Sequence, residues 1–256
     1  MTASATYLYC AVRHARDPVR GAKAPRGLSG AGAPRALAAG DGVWLVAATA
    51  PLDRYGAETI DAQLADLDWV SRCAVAHDAV IEHFAAKHPV IPMKLFTLFT
   101  SDERAVAHVA RTRRKLDRLF DRVADREEWG VRLLLDERRA LAPKAAPVAA
   151  ASGTEFLAKK KEAKDARQRF VADALADADR VFASLERMAD DSRRRTPAVE
   201  GPQSRMVLDA AFLVPRKDAR RFRAAVTAAA RPLAARGLDL VLSGPWPPYH
   251  FVGDER

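Results

Sequence analysis

The residues from Ala76 to Phe99, AHDAVIEHFAAKHPVIPMKLFTLF, decide how this chain folds. Apolar side chains recur at helical spacing up to Phe84, and Pro89 and Pro92 then interrupt the pattern. A proline inside a helix lacks a backbone donor and clashes with the preceding turn, so the helix must end before Pro89. The stretch therefore predicts a helix, a short extended segment between the two prolines, and a strand that leads to Phe99.

The helical pattern also extends backwards from this stretch. Apolar residues three, four or seven positions apart lie on one face of a helix. This spacing predicts a single helix from about Ala57 to Lys87. Its inward face is predicted to consist of Ile60, Leu64, Leu67, Ala74, Ile81 and Phe84.

Two strands are predicted before this helix. YLYCAV at Tyr7 to Val12 and VWLVAA at Val43 to Ala48 are apolar runs without helical periodicity. Residues 13–42 between them are rich in Gly, Pro, Ala and Arg, which predicts a long loop with a helical turn near Ala36.

A second helix and a further strand are predicted after the decisive stretch. Ser101, followed by two acidic residues, is a suitable helix start, and the apolar pattern continues to about Ala124. WGVRLLL at Trp129 to Leu135 follows as a strand. The order strand, strand, helix, strand, helix, strand favours an α+β domain, similar to a ferredoxin-like fold, with the helices on one face of a small sheet.

The remaining sequence predicts a second, smaller α+β domain carried by a long helix. We expect a first domain at residues 1–139, an Ala- and Pro-rich linker at 140–152, and a second domain at 153–256. The long helix is predicted from about Thr154 to Arg193, with its Lys159–Lys161 and Arg193–Arg195 runs on the solvated surface. A strand at 206–214, a helix at 218–235 and a strand at 238–242 complete this domain.

The charge and the cysteines limit the classes of function. The net charge is +9, but most charges alternate in sign along predicted helices, which is typical of solvated helix faces. The exception is the segment from Arg13 to Arg35, in which six basic residues accompany Asp17 alone. Cys10 and Cys73 lie outside any zinc-binding pattern and are predicted to be buried free thiols in a reducing compartment. We expect a cytoplasmic protein, because no signal peptide or membrane-spanning stretch is recognisable.

Motifs of catalysis or cofactor binding are not found. The glycine-rich stretch from Gly27 to Gly32 lacks the lysine of a phosphate-binding loop. The histidine cluster at His77 to His83 reads HDAVIEH, whereas a zinc-binding HExxH motif needs histidines four residues apart. We therefore expect no enzyme activity, no cofactor and no metal. No RNA-binding aromatic motif is present either, so neither nucleic acid nor membrane is an expected partner.

Four stretches resemble one known family, the gas vesicle accessory proteins of the GvpF/GvpL type. They are YLYCAV at 7–12, the decisive stretch at 76–99, EEWGVRL at 127–133 and SGPWPPYHFV at 243–252. SGTEFLAKKK at 152–161 also resembles the start of the family's second domain. The resemblance extends over the whole chain apart from the loop at 13–42 and the linker at 140–151.

The resemblance implies two α+β domains, the first ferredoxin-like, and a non-enzymatic role in gas vesicle assembly. The implied partners are the hydrophobic shell protein and other vesicle accessory proteins. Trp246, Pro247, Pro248 and Tyr249 combine rigid prolines with large aromatic side chains, which suits either a partner-binding anchor or a lock within the fold. The alternative functions are a basic module that binds nucleic acid or membrane, and an enzyme whose site assembles only in space.

Overall fold

The computed structural model describes residues 3–136, 153–196 and 204–253. Within these residues the chain forms two compact units. Unit 1 comprises the described residues of Met1–Asp125 together with those of Trp246–Arg256, and unit 2 comprises those of Arg126–Pro245. Each unit combines one β-sheet with helices, so the predicted α+β class is confirmed.

Unit 1 is built on a sheet with β1 in its interior. Its strands are β1 (Ser4–Arg13), β2 (Arg35–Ala38), β3 (Val43–Pro51), β4 (Val90–Pro92) and β5 (Leu98–Phe99). Its helices are α1 (Leu52–Tyr55), α2 (Ala57–Gln63), α3 (Leu67–Ala85), α4 (Asp102–Arg111) and α5 (Arg113–Val123). The strand order is β2-β3-β1-β4, with β5 also paired to β1, and every pairing is antiparallel.

Helices cover both faces of the unit 1 sheet, whereas the sequence predicted helices on one face. Tyr7 and Val12 of β1 pack in a core with Phe84 of α3. Leu8 of β1 packs in a separate core with Phe120 of α5. Successive side chains of a strand point to opposite faces, so a continuous apolar run such as YLYCAV is typical of a strand buried on both sides.

Several predicted elements differ from the observed ones. The helix predicted at 57–87 is interrupted between Gln63 and Leu67, where Asp66 caps α3 by accepting a hydrogen bond from the Trp69 backbone N–H. The helix predicted at 101–124 is divided at Thr112. The loop predicted at 13–42 contains β2, which pairs with β3 where a helical turn was expected.

Unit 2 has a four-stranded sheet with one face covered by two helices. Its elements are β6 (Arg126–Asp136), α6 (Gly153–Glu186), β7 (Asp191–Arg194), β8 (Ser204–Pro215), α7 (Ala219–Ala234) and β9 (Leu238–Trp246). The strand order is β7-β8-β6-β9. Phe212 and Val131 are buried against Ala178 of α6 and Phe222 of α7. The long helix ends at Glu186, and the arginines predicted on its surface begin instead in β7.

The unit boundaries differ from the predicted domains in two places. β6 was assigned to the first domain, but it pairs with β8 from Arg126 opposite Pro215 to Asp136 opposite Ser204. This long antiparallel pairing makes β6 part of the second sheet. Residues 246–256 were assigned to the second domain, but those that the structure describes, 246–253, lie in unit 1. The linker predicted at 140–152 lies outside the described residues.

Candidate functional site

The terminal segment, defined here as Trp246–Phe251, is mostly packed into unit 1. Pro247 and Pro248 are buried, and Phe251 is completely buried. The Tyr249 ring packs on the core between the sheet and α3, and its hydroxyl donates a hydrogen bond of 2.6 Å to Asp78 Oδ1. Burial and the neighbouring carboxylate of Asp78 both raise the pKa of Tyr249, so the hydroxyl remains a donor.

The four residues singled out from the sequence therefore have different environments. Pro247 and Pro248 are buried and Tyr249 packs on the core of unit 1, whereas Trp246 exposes 43% of its surface. A buried tyrosine with a satisfied hydroxyl stabilises a fold, and an exposed tryptophan offers area to a partner. The partner-binding role of Trp246 and the locking role of Tyr249 remain predictions.

His77 links α3 to the segment that contains the two prolines. Its Nε2 lies 3.1 Å from the Met93 carbonyl oxygen, and its Nδ1 lies 2.7 Å from the Tyr7 hydroxyl. The backbone N–H of Phe96 donates to that same hydroxyl at 3.3 Å. The carbonyl requires a proton on Nε2. Burial lowers the pKa of His77 and so favours the neutral ring, whose Nδ1 accepts a hydrogen bond from the Tyr7 hydroxyl. These partners give His77 a structural role in joining the helix to the strand.

A short row of aromatic rings supports the turn after Met93. Phe96 has a φ of +63°, a left-handed conformation that side chains other than glycine seldom adopt. Its ring stacks on Trp69 with a centroid separation of 5.2 Å, and Trp69 in turn stacks on Tyr55 at 6.4 Å. Burial raises the pKa of Tyr55 to about 12, so its hydroxyl stays protonated and donates to the Ser29 carbonyl oxygen. This packing holds the unusual turn in place.

Metal-binding and membrane-spanning features are not observed in the described parts of the chain. No group of three or more His, Cys, Asp or Glu side chains there is arranged to hold a metal ion. No helix within the ranges given above has the length and apolar composition needed to cross a membrane. The two cysteines are buried, and burial raises the pKa of both thiols.

The basic segment from Arg13 to Arg35 is partly neutralised within unit 1. Arg13 forms ion pairs with Asp117 at 2.9 Å and Asp121 at 2.6 Å, and its guanidinium lies 4.7 Å from the centre of the Phe120 ring. Arg35 pairs with Asp102 at 2.6 Å. Arg35 holds the pKa of Asp102 below its usual value. Desolvation raises the pKa of Asp117, but Arg113 and Arg13 together outweigh it and hold that pKa below its usual value as well. Both ends of the segment are therefore committed to internal contacts.

An exposed apolar surface was missed by the sequence prediction. Leu64, Leu67 and Val75, together called the apolar face, expose 50%, 78% and 67% of their surface. Leu64 and Leu67 were assigned to the buried face of one continuous helix, but the interruption at Asp66 turns them outward. The signal in the sequence was Asp66 itself, an acidic residue placed three positions before Trp69 as an N-cap.

This arrangement leaves apolar side chains exposed on unit 1. The apolar face and Trp246 are accessible, while the buried polar side chains His77 and Tyr7 satisfy each other. Contiguous exposed apolar patches are typical of surfaces that bind a protein, a membrane or a ligand.

Comparison with known proteins identifies the family. A family model described as "Gas vesicle synthesis protein GvpL/GvpF" matches residues 5–253. Gas vesicle protein L of Streptomyces sp. (strain CB03234) is 32% identical over 241 residues, which cover 90% of this chain and 87% of that protein.

Two crystal structures share the fold. GvpF from Anabaena sp. PCC7120 matches with a TM-score of 0.72 at 19% identity, covering 99% of this chain and 98% of that one. GvpF from Microcystis aeruginosa matches with a TM-score of 0.68 at 17% identity, covering 97% and 99%. The family model spans nearly the whole chain and agrees with both the sequence relative and the shared fold. The chain belongs to the GvpL/GvpF family of gas vesicle synthesis proteins.

Proposed function

We propose that this protein is a non-enzymatic assembly factor in the cytoplasm that binds the hydrophobic shell subunit of the gas vesicle and other vesicle proteins. By covering apolar surface of the subunit, it prevents aggregation and delivers subunits to the growing shell. Membership of the GvpL/GvpF family supports a gas vesicle accessory role, and the partner and the mode of action are the proposal.

The observation that carries this proposal is the apolar face of unit 1. Leu67 and Val75 are eight residues apart on α3, which places them on one side of the helix about 12 Å from each other. Asp66, Asp68 and Arg72 around them are exposed. An apolar centre with a polar rim is typical of a protein-binding surface.

The shell subunit needs such a factor because of its own apolar surface. A wall that encloses gas requires an apolar inner surface, and that surface is exposed to water until the subunit is incorporated. Each square ångström of apolar surface removed from water contributes about 25 cal/mol. A soluble factor with an exposed apolar face can therefore compete with self-aggregation of the subunit without any covalent chemistry.

The test is co-expression of the full chain with the major shell subunit, followed by measurement of the shell subunit that remains soluble and co-purifies. We expect the wild-type chain to retain soluble subunit. Leu67→Ser combined with Val75→Ser should reduce the co-purified amount about tenfold or more, because two exposed anchors are lost. Leu157→Ser is the matched control, since Leu157 exposes 66% of its surface on α6 of unit 2.

Two further variants separate the predicted roles of the terminal segment. Trp246→Ser should weaken capture if Trp246 is a partner contact, whereas Tyr249→Phe should leave capture unchanged and lower only the stability of unit 1. Failure of the wild-type chain to retain any shell subunit would refute the proposal. Equal losses for the Leu67/Val75 variant and the Leu157 variant would assign capture to another surface.

A further inference from the structure

The helix α7 of unit 2 has one side that is exposed among the residues that the structure describes. Its buried side is formed by Phe222, Val226 and Leu233, which pack in the core of unit 2. At 100° per residue, Ala224 and Ala228 lie on the opposite side of the helix, and both are exposed. This outer side has a simple composition of arginine and small residues.

The charge along α7 has one sign. From Arg216 to Arg236 the chain contains seven basic residues, and Asp218 is the one acidic residue. Three of the basic residues, although exposed, contact other residues of unit 2. Arg216 lies 3.4 Å from Glu127, Arg236 lies 2.5 Å from Asp177, and the Arg223 guanidinium lies 5.9 Å from the centre of the Trp129 ring.

The other four basic residues are available to a partner. They are Lys217, Arg220, Arg221 and Arg231, together called the arginine face, and all four are exposed. None of the four forms an ion pair with any residue that the structure describes. Cations in the first turn of a helix are also unfavourable for the helix itself, because the amino end carries the positive pole of the helix dipole. The position of Arg220 and Arg221 is therefore not explained by helix stability.

Arginines of the arginine face lie near both ends of α7, and small uncharged side chains lie between them on the outer side of the helix, here called the platform. Arg220 and Arg231 are eleven residues apart, which corresponds to about 16 Å along the helix. Between them, the outer surface consists of Ala224, Thr227 and Ala228, and the exposed Arg223 lies at its edge, turned toward the Trp129 ring. Short side chains of this kind allow the backbone of a second helix to approach closely.

We propose that the arginine face and this platform dock an acidic amphipathic helix of a partner protein. Small or apolar side chains of that helix lie against Ala224 and Ala228. Its carboxylates, about 16 Å apart, meet Arg220 and Arg221 at one end and Arg231 at the other. Guanidinium groups bind carboxylates through paired hydrogen bonds, which gives such a contact its geometric selectivity. The inference concerns unit 2 and does not rest on binding of the shell subunit to the apolar face.

Two other anionic partners fit this surface less well. A duplex nucleic acid carries a phosphate charge about every 1.7 Å along its axis, and the uncharged platform leaves most of those charges unmatched. The outer side also lacks an aromatic residue on which a base could stack. Binding along an anionic membrane needs bulky apolar side chains that enter the lipid, whereas Ala224, Thr227 and Ala228 are small.

The test uses the full chain and a fluorescent alanine-based helical peptide with glutamate pairs eleven positions apart. Binding is measured by fluorescence anisotropy at increasing concentrations of NaCl. We expect the peptide to bind, and the affinity to fall as salt screens the charges. Arg220→Gln, Arg221→Gln and Arg231→Gln together should weaken binding about tenfold.

The control variant carries Arg104→Gln, Arg114→Gln and Arg118→Gln on α4 and α5, where all three side chains are exposed. It removes the same charge from unit 1 and should bind the peptide as the wild type does. A peptide with glutamine in place of glutamate should not bind.

Three outcomes would overturn the proposal. The first is equal binding of the glutamate and glutamine peptides, and the second is equal weakening by both triple variants. The third is binding of phosphatidylglycerol vesicles or a short DNA duplex, lost in the α7 variant, without binding of the peptide. Circular dichroism of both triple variants establishes that the chain remains folded in each comparison.

Discussion

His77 illustrates how one buried side chain joins elements that are distant in sequence. Its ring connects the Tyr7 hydroxyl of β1 with the Met93 carbonyl that follows β4. A doubly protonated ring would have two N–H donors, and the Tyr7 hydroxyl would lose its acceptor. Burial also disfavours the charged ring, and it is the main cause that lowers the pKa of His77, against the opposing effects of the Met93 carbonyl and the Asp78 carboxylate.

The stability of the fold should therefore decrease in mild acid. The pKa of His77 in the folded protein lies below its ordinary value of 6.5, so the unfolded chain takes up the proton first as the pH falls. Above pH 6.5 the residue has little influence, and below it the free energy of unfolding decreases until the folded-state pKa is reached. The slope for one proton is at most about 1.4 kcal/mol per pH unit.

Urea unfolding of the wild type and His77→Gln between about pH 5 and pH 8 measures this effect. The glutamine variant should show a shallower dependence on pH. His88→Gln is the companion variant, because burial and the neighbouring His14 also lower the pKa of His88. Parallel profiles for wild type and His77→Gln would contradict the assigned role of His77.

At the scale of the elements, irregularities in the strands decide which side chains share a core. A bulge between Leu8 and Cys10 in β1 places Tyr9 and Cys10 in the same core as Tyr7, although adjacent side chains of a regular strand alternate. Leu8 remains in the core on the opposite face. The α3 side of the sheet thus receives two neighbouring side chains from one strand.

The side chain of Ser243 in β9 lies close to a glycine of β6. A Cβ atom at Gly130 would lie 2.6 Å from Ser243 Oγ and 4.0 Å from Ser243 Cβ. Gly130→Ala should therefore lower the free energy of unfolding by about 2 kcal/mol, because the added methyl overpacks this contact. Combining it with Ser243→Ala removes the clashing oxygen and should restore most of the loss.

A double-mutant cycle measured by urea unfolding checks this prediction, with Ser243→Ala alone as the reference. Strictly additive effects of the two substitutions would show that β9 does not approach Gly130 in solution as closely as described.

At the scale of the whole molecule, unit 1 is formed by two separate stretches of the chain, and its stability should depend on both. The chain leaves unit 1 at Asp125 and returns to it at Trp246. Tyr249 then packs on the core formed by the first 125 residues, and Phe251 is completely buried. Removal of residues 247–256 should therefore destabilise unit 1 selectively.

Hydrogen–deuterium exchange of the truncated chain measures this selectivity. We expect faster exchange in α3 and β1, which belong to unit 1, and unchanged exchange in β6 and β8 of unit 2. Tyr249→Phe, which removes only the hydrogen bond to Asp78, should show a smaller change in the same elements. A uniform increase over both units would contradict the assignment of the terminal segment to unit 1.

The local patterns in the sequence were sufficient for the kinds of element and for the family. The apolar runs at Tyr7 and Trp129 are strands, and the two prolines do follow the end of α3. The α+β class and the GvpL/GvpF family were both predicted correctly. These conclusions depend on residues close together in the chain, and their periodicity and motifs are visible without any knowledge of the fold.

Tertiary structure alone decided the features that depend on distant residues. Arg13 forms an ion pair with Asp117, which is 104 positions away in the chain, and Tyr249 donates a hydrogen bond to Asp78, which is 171 positions away. No local pattern in the sequence could connect the two members of either pair. The same holds for the place of β6 in the second sheet and for helices on both sides of the first. Whether a leucine such as Leu67 is buried depends on where the chain turns and which surface it then meets. Periodicity assigns a residue to a face of an element, but only long-range packing determines whether that face is covered.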